Sequence, residues 1–338
     1  GVFFNMIGYQ RSDYSGNYHG LCQCENCKRL FKEYAGLELP ATVQENSPTY
    51  RKYLQFTSDM TDRQFNRVNR LLKSKRSSLA LCTYTKEGID IIRQESNDAL
   101  GSGTYDDTHR AKRTLLDAGR RQLANAAVYF IDIPFRHTSV APYLTGRRLF
   151  QQMINGAWVD FYCIGPLHRQ EDRLGLDIVR DIYRFHAANE QFLVDTKPAA
   201  QVALFPGKNT EYMGMLQILC ENQIPFELVQ LDLPRLEKYE IVIVPGADGL
   251  KDGQIDALDQ YIERGGKALI TGRIPEGLQC LRSLKFKATR APEKGSYIRI
   301  RPEDRDRLDR PILDKLDLVF LQGVFHVYES DEETAGLL

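Results

Sequence analysis

One pattern restricts this chain more than any other. Between Gly1 and Leu193 an apolar run, a polar loop and a helix-like stretch follow one another five times. The runs are Gly1 to Phe4, Leu79 to Tyr84, Ile89 to Arg93, Val128 to Pro134 and Trp158 to Ile164. Apolar runs that alternate with helices form a parallel sheet covered on its faces, because each crossover needs a helix to return the chain. Helix-type periodicity spans Cys27 to Leu37, Thr49 to Lys73, Arg110 to Ala124, Pro142 to Asn155 and Gly175 to Phe192. The longest of these is opened by Ser47-Pro48, with Pro48 at the first helical position. Its expected apolar stripe is Tyr53, Leu54, Phe56, Met60, Phe65, Val68 and Leu72.

The unusual polar residues gather where the apolar runs end. Asn5 follows the first, Arg93, Glu95 and Asn97 the third, and Asp132, Arg136 and His137 the fourth. A (β/α) barrel places its chemistry at these C-terminal strand ends. A complete barrel has about eight units. Five are expected here, so the reading is a barrel fragment beginning at its fourth strand, with an open sheet edge that another chain could cover. Residues 1–197 form this partial barrel. Pro198 marks a boundary, and residues 198–275 carry a second, shorter set of βαβ units of the doubly wound, flavodoxin-like type. Residues 276–338 form a less regular C-terminal extension, charged between Arg290 and Arg310 and acidic at its end.

Cys22-Gln-Cys24-Glu-Asn-Cys27 is the most specific local signal. Three thiolates within six residues suit a tetrahedral structural zinc site, with His19 or a cysteine from an earlier segment as fourth ligand. Three free thiols in a loop are the alternative. The other cysteines, Cys82, Cys163, Cys220 and Cys280, are dispersed. Cys82, Cys163 and Cys220 sit in apolar strand or helix patterns and read as buried small hydrophobes, with disulfides as the alternative, which favours a reducing, cytoplasmic setting. Lys plus Arg equals Asp plus Glu, 45 each, so nothing points to nucleic acid or an anionic membrane surface. No apolar run reaches the ~18 residues of a membrane span.

Two carboxyl groups at a shared mouth can divide general acid and general base work between them. Glu95 is the leading acid/base candidate, with Arg93 and Asn97 beside it to orient it or to bind hydroxyls; a capping or surface glutamate is the alternative. Asp132 is the candidate partner, or else a structural carboxylate paired with Arg136. Arg136 and His137 could bind a polar substrate, as could Asn5 and Tyr9, while His137 could equally sit in a core. Tyr9, Tyr14, Tyr18 and Trp158 could offer flat faces to a substrate ring, or simply pack.

Phe3-Phe4-Asn5-Met6, Asp13-Tyr14-Ser15-Gly16, the cysteine cluster and Phe130-Ile-Asp132-Ile-Pro134-Phe-Arg136-His137 resemble glycoside hydrolases related to α-L-fucosidases and family-42 β-galactosidases. The resemblance implies an oligosaccharide or glycoside substrate and a zinc cluster whose first ligand comes from an earlier segment. The chain departs from it at one decisive place. Family-42 enzymes carry Asn-Glu at the end of the fourth strand, and this chain has Asn5-Met6. An Asp nucleophile of α-L-fucosidases would fall near Asn5, where an amide cannot serve. The stretch from Ala200 to Gly272 is similar to the β-galactosidase trimerisation domain, an amidotransferase-like fold. It has no Cys at the elbow Val244 to Gly249, which implies assembly into a homo-oligomer in place of catalysis. The competing functions are therefore a glycosidase and an inactive carbohydrate-binding or oligomerisation scaffold.

Overall fold

The computed structural model describes residues 1–84, 87–97, 103–118, 122–291, 295–299 and 318–329. The chain divides into two compact units, Gly1–Lys197 and Pro198–Leu338.

The first unit is a half-barrel of five parallel strands in sequential order: β1 (Val2–Phe3), β2 (Leu81–Thr83), β3 (Ile91–Ser96), β4 (Gln122–Val128) and β5 (Trp158–Tyr162). Between β1 and β2 run α1 (Glu25–Ala35) and α2 (Pro48–Lys75). Helix α3 (Asp106–Ala118) follows β3, α4 (Pro142–Ile154) follows β4, and α5 (Leu176–Ala188) with the short α6 (Glu190–Leu193) follows β5.

Local chemistry explains the boundaries. Cys24 caps α1 through its sulfur, and Gly36 ends it at φ +66°, a left-handed value that glycine adopts without penalty. Pro48 starts α2, which buries Tyr50, Tyr53, Phe56 and Phe65. Leu54, expected in that stripe, is exposed, because the face turned to α1 centres on Tyr50 and Tyr53.

Two strands are displaced from the sequence expectation. The helix expected over Arg110 to Ala124 runs into the Ala-rich segment Leu123-Ala-Asn-Ala-Ala127, since alanine has the highest helix propensity. That segment is instead β4, with Ala126 and Ala127 fully buried, and the helix before it ends at Ala118. Small residues let α4 and the inner side chains close on a central strand, and that packing overrides propensity. The residues after Val128 leave the sheet through an isolated bridge from Phe130 to Ser139. Strand β3 also extends beyond Arg93, so Glu95 lies within the strand.

The second unit has a four-stranded parallel sheet ordered β7 (Phe226–Leu228), β6 (Val202–Leu204), β8 (Ile241–Val244), β9 (Lys267–Ile270). Numbered within the unit this is 2-1-3-4, a doubly wound order. Helices α7 (Thr210–Glu221), α8 (Leu233–Leu236) and α9 (Asp252–Glu263) connect the strands. The core packs Val242, Val244, Leu258 and Tyr261. The C-terminal extension is more regular than its charge suggests. Antiparallel ladders join β10 (Lys285–Arg290) to β13 (Phe325–Glu329) and β11 (Ser296–Ile298) to β12 (Val319–Leu321). The charge-rich stretch beyond Arg299 and the acidic end lie outside the described residues. No helix among the described residues is long and apolar enough to cross a membrane.

Candidate active site

Strand register separates the two faces of the half-barrel. Paired residues of parallel neighbours point to the same side, and the side alternates along each strand. Ile92, Leu123, Ala127 and Val159 pack on the helices. The opposite, inner face therefore receives Phe3 and Asn5 from β1 and the residues after it. It receives Cys82 and Tyr84 from β2, Arg93 and Glu95 from β3, Ala124 and Ala126 from β4, and Trp158, Asp160 and Tyr162 from β5.

Arg93 organises this face. Its Nε donates to Asp160 Oδ2 at 2.8 Å, and its Nη1 donates to Glu95 Oε1 and, at 3.1 Å, to the Tyr84 hydroxyl. That hydroxyl in turn donates to Glu95 Oε1 at 2.7 Å. The guanidinium lies 4.7 Å from the Phe3 ring centre and 5.7 Å from that of Tyr162, within cation–π range. Burial works against a charged Arg93, yet the carboxylates of Asp160 and Glu95 outweigh it and raise its pKa above the usual arginine value. Burial, with Glu95 next, pushes the Tyr84 phenol up to about 12, so it stays a proton donor at neutral pH. The side chains of Arg93, Glu95 and Asp160 are 11%, 24% and 33% exposed, so the carboxylates open to solvent from a sunken cation.

The helix side fixes β3. Ser96 donates to Asp107 on α3, Asn125 Nδ2 donates to Ser96 Oγ at 3.2 Å, and Arg110 Nη1 donates to the Glu95 carbonyl at 2.7 Å. The carboxylate of Glu95 is thus held from its own backbone as well as through its partners.

The remaining candidates distribute unevenly. Asn5 Oδ1 lies 3.5 Å from the Tyr84 hydroxyl, at the edge of the same cluster. Asn97 follows β3 and is exposed. Asp132, Arg136 and His137 lie in an exposed turn after β4. Asp132 Oδ1 accepts from the Ile133 backbone N–H at 2.7 Å, capping a single 3-10 turn. Among the described residues no ion pair joins Asp132 to Arg136. Tyr9 packs on Phe56 in the α1–α2 core, away from the inner face, and its phenol is raised by burial and then by Cys27. Sequence reasoning passed over Tyr84 and Asp160. The signal for Asp160 was present: it is the one carboxylate in the run Trp158 to Ile164.

The three cysteines do converge. The sulfurs of Cys22, Cys24 and Cys27 all lie within 4.8 Å of one another. A tetrahedral ion with Zn–S of about 2.3 Å needs sulfurs about 3.8 Å apart, a contraction of about 1 Å at most. Backbone N–H bonding from Cys27 lowers the Cys24 thiol, and burial pushes Cys27 up to about 12. The donor set suits zinc. His19 Nε2 instead sits 3.1 Å from Asp13 Oδ2.

Against known proteins, no family model and no curated protein matches the sequence. Among solved structures the chain is similar to α-L-fucosidase isoenzyme 2 from Paenibacillus thiaminolyticus, at 17% identity and a TM-score of 0.65. The match covers 98% of this chain and 50% of the fucosidase, so the chain spans about half the length of that enzyme. At this identity the likeness is one of fold alone.

Proposed function

We propose that the chain is a glycoside hydrolase whose inner face binds a sugar and whose Glu95 is its acid/base. The observation that carries this reading is the placement of Glu95. It stands on the inner face at the C-terminal end of β3, with one oxygen held by Tyr84 and Arg93 and a quarter of its side chain open to solvent. Asn5 and Asn97 flank it as hydroxyl ligands, and Phe3, Tyr162 and Trp158 offer apolar surfaces to pyranose faces. With Glu95 carrying the proton it gives as acid, the charges of Arg93 and Asp160 cancel, and the face suits a neutral glycoside better than a charged sugar. The test is a panel of 4-nitrophenyl glycosides, wild type beside Glu95→Gln. Turnover that falls at least 10²-fold in the variant supports the reading. No turnover of any neutral glycoside refutes it.

A second reading has its own support. Met6 stands where a catalytic carboxylate is expected from the resemblance, and Arg93 is engaged with both carboxylates of the inner face. A sugar-binding scaffold would show glycoside affinity by calorimetry without turnover. Two further elements belong to the proposal. Cys22, Cys24 and Cys27 would hold a structural zinc ion that braces the loop before α1, in a reducing, cytoplasmic setting. The second unit would serve assembly into a homo-oligomer.

A further inference from the structure

We propose that Asp160, and not Asp132, is the second carboxylate of the site, with Arg93 as the positioning residue that holds it opposite Glu95. This rests on the hydrolase reading above and names the group that reading lacks. Register is the first argument. Glu95 pairs with Ala126, and Ala126 pairs with Asp160, so the two acids stand at one level of the sheet with a single alanine between them. Their backbones are therefore two strand spacings apart, about 9.6 Å. No side chain longer than a methyl rises between them from β4.

The second argument is the shared cation. Asp160 reaches Nε and Glu95 reaches Nη1 of the same guanidinium. One oxygen of each acid is tied down, while Glu95 Oε2 and Asp160 Oδ1 accept no hydrogen bond from a described residue. Two acids at one level, each with one oxygen on the same guanidinium and the other free, supply the pair of carboxyl groups that glycoside hydrolysis needs. Asp132 has none of these features: its carboxylate caps a turn, and it makes no contact with Arg93.

In the reaction, the protonated Glu95 gives its proton to the glycosidic oxygen as the bond to the anomeric carbon breaks. Asp160 takes a proton from the water whose oxygen bonds to that carbon. The leaving alcohol departs neutral, the sugar leaves as a hemiacetal of inverted configuration, and one water is consumed.

The test uses the full chain with 4-nitrophenyl and 2,4-dinitrophenyl α-L-fucosides and β-D-galactosides. Expected results are a drop in kcat of at least 10²-fold in Asp160→Asn and a change of less than threefold in Asp132→Asn. Azide needs no base, so it should restore turnover to Asp160→Asn as a glycosyl azide. The loss in Glu95→Gln should shrink at least tenfold on the dinitrophenyl leaving group, which departs without a proton. An active wild type whose Asp160→Asn variant keeps a third of its rate overturns this inference alone. So does a variant with lost activity that azide does not rescue, because a purely structural aspartate gives that result. A retained anomer in the first product also overturns it. A wild type inactive on every glycoside removes the hydrolase reading itself.

Discussion

Replacing Arg93 by methionine tests the central cluster through stability. The substitution keeps most of the aliphatic volume and removes the charge, leaving Glu95 and Asp160 as neighbouring like charges. Breaking a fully buried ion pair by removing one partner costs about 3–5 kcal/mol, whereas exposed pairs are worth about 0–1 kcal/mol. Arg93 is 11% exposed and its partners 24% and 33%, so the cluster falls between these limits. The cation–π contact with Phe3 adds about 0.5–1 kcal/mol. The expected loss is about 2–3 kcal/mol, read as a lower urea midpoint with an unchanged slope. Adding Asp160→Asn to Arg93→Met should recover part of that loss. A double-mutant cycle should then show coupling well above the ~0.5 kcal/mol that separates independent sites. A loss under about 1 kcal/mol, or additive variants, would show that Arg93 does not bind the two acids together in solution.

Metal content gives a second check: purified protein should hold about one zinc per chain, and Cys24→Ser should lose it while leaving the transition of the second unit unmoved. Gly175→Ala should cost about 1–3 kcal/mol in urea unfolding, because the added Cβ would stand 2.9 Å from Tyr129 Cε2. The backbone there has φ −82°, so that cost is steric and not conformational. Asp172 accepts from the Ser139 hydroxyl and N–H and from the Leu174 N–H, and these bonds hold its carboxyl below the usual value. A depressed folded pKa contributes stability above the unfolded value of about 4, and that contribution is lost as pH falls through the folded one. Stability measured from pH 6 to 3 should therefore fall less steeply in Asp172→Asn than in wild type.

The parallel order of the half-barrel was legible because hydrophobic runs and helical periodicity are one-dimensional signals. Five runs, with helices in three of the four intervals between them, leave few topologies. Where a strand begins is a different kind of information. Leu123 to Ala127 has helix propensity and no β-branched residue until Val128, so only burial on both faces makes it β4. The same limit governed Asp132: placed at the end of an apolar run, it resembled a strand-end acid, but the strand had already ended at Val128 and the carboxylate was left to cap a turn.

That displacement also accounts for the site. Once β4 begins at Gln122, its alanines, and not Tyr129 or Ile131, lie between β3 and β5. Short side chains on the middle strand let a long arginine on one neighbour reach an acid on the other. A bulkier residue at Ala126 would push Arg93 from Asp160 and leave two uncompensated acids. The alanines that obscure the strand in the sequence are thus the condition for the Glu95–Arg93–Asp160 cluster. Ala126→Leu should accordingly weaken that cluster as Arg93→Met does, although it removes no charged group. Unfolding free energies of the two variants that agreed to within about 1 kcal/mol would bear this out, and an Ala126→Leu protein as stable as wild type would refute it.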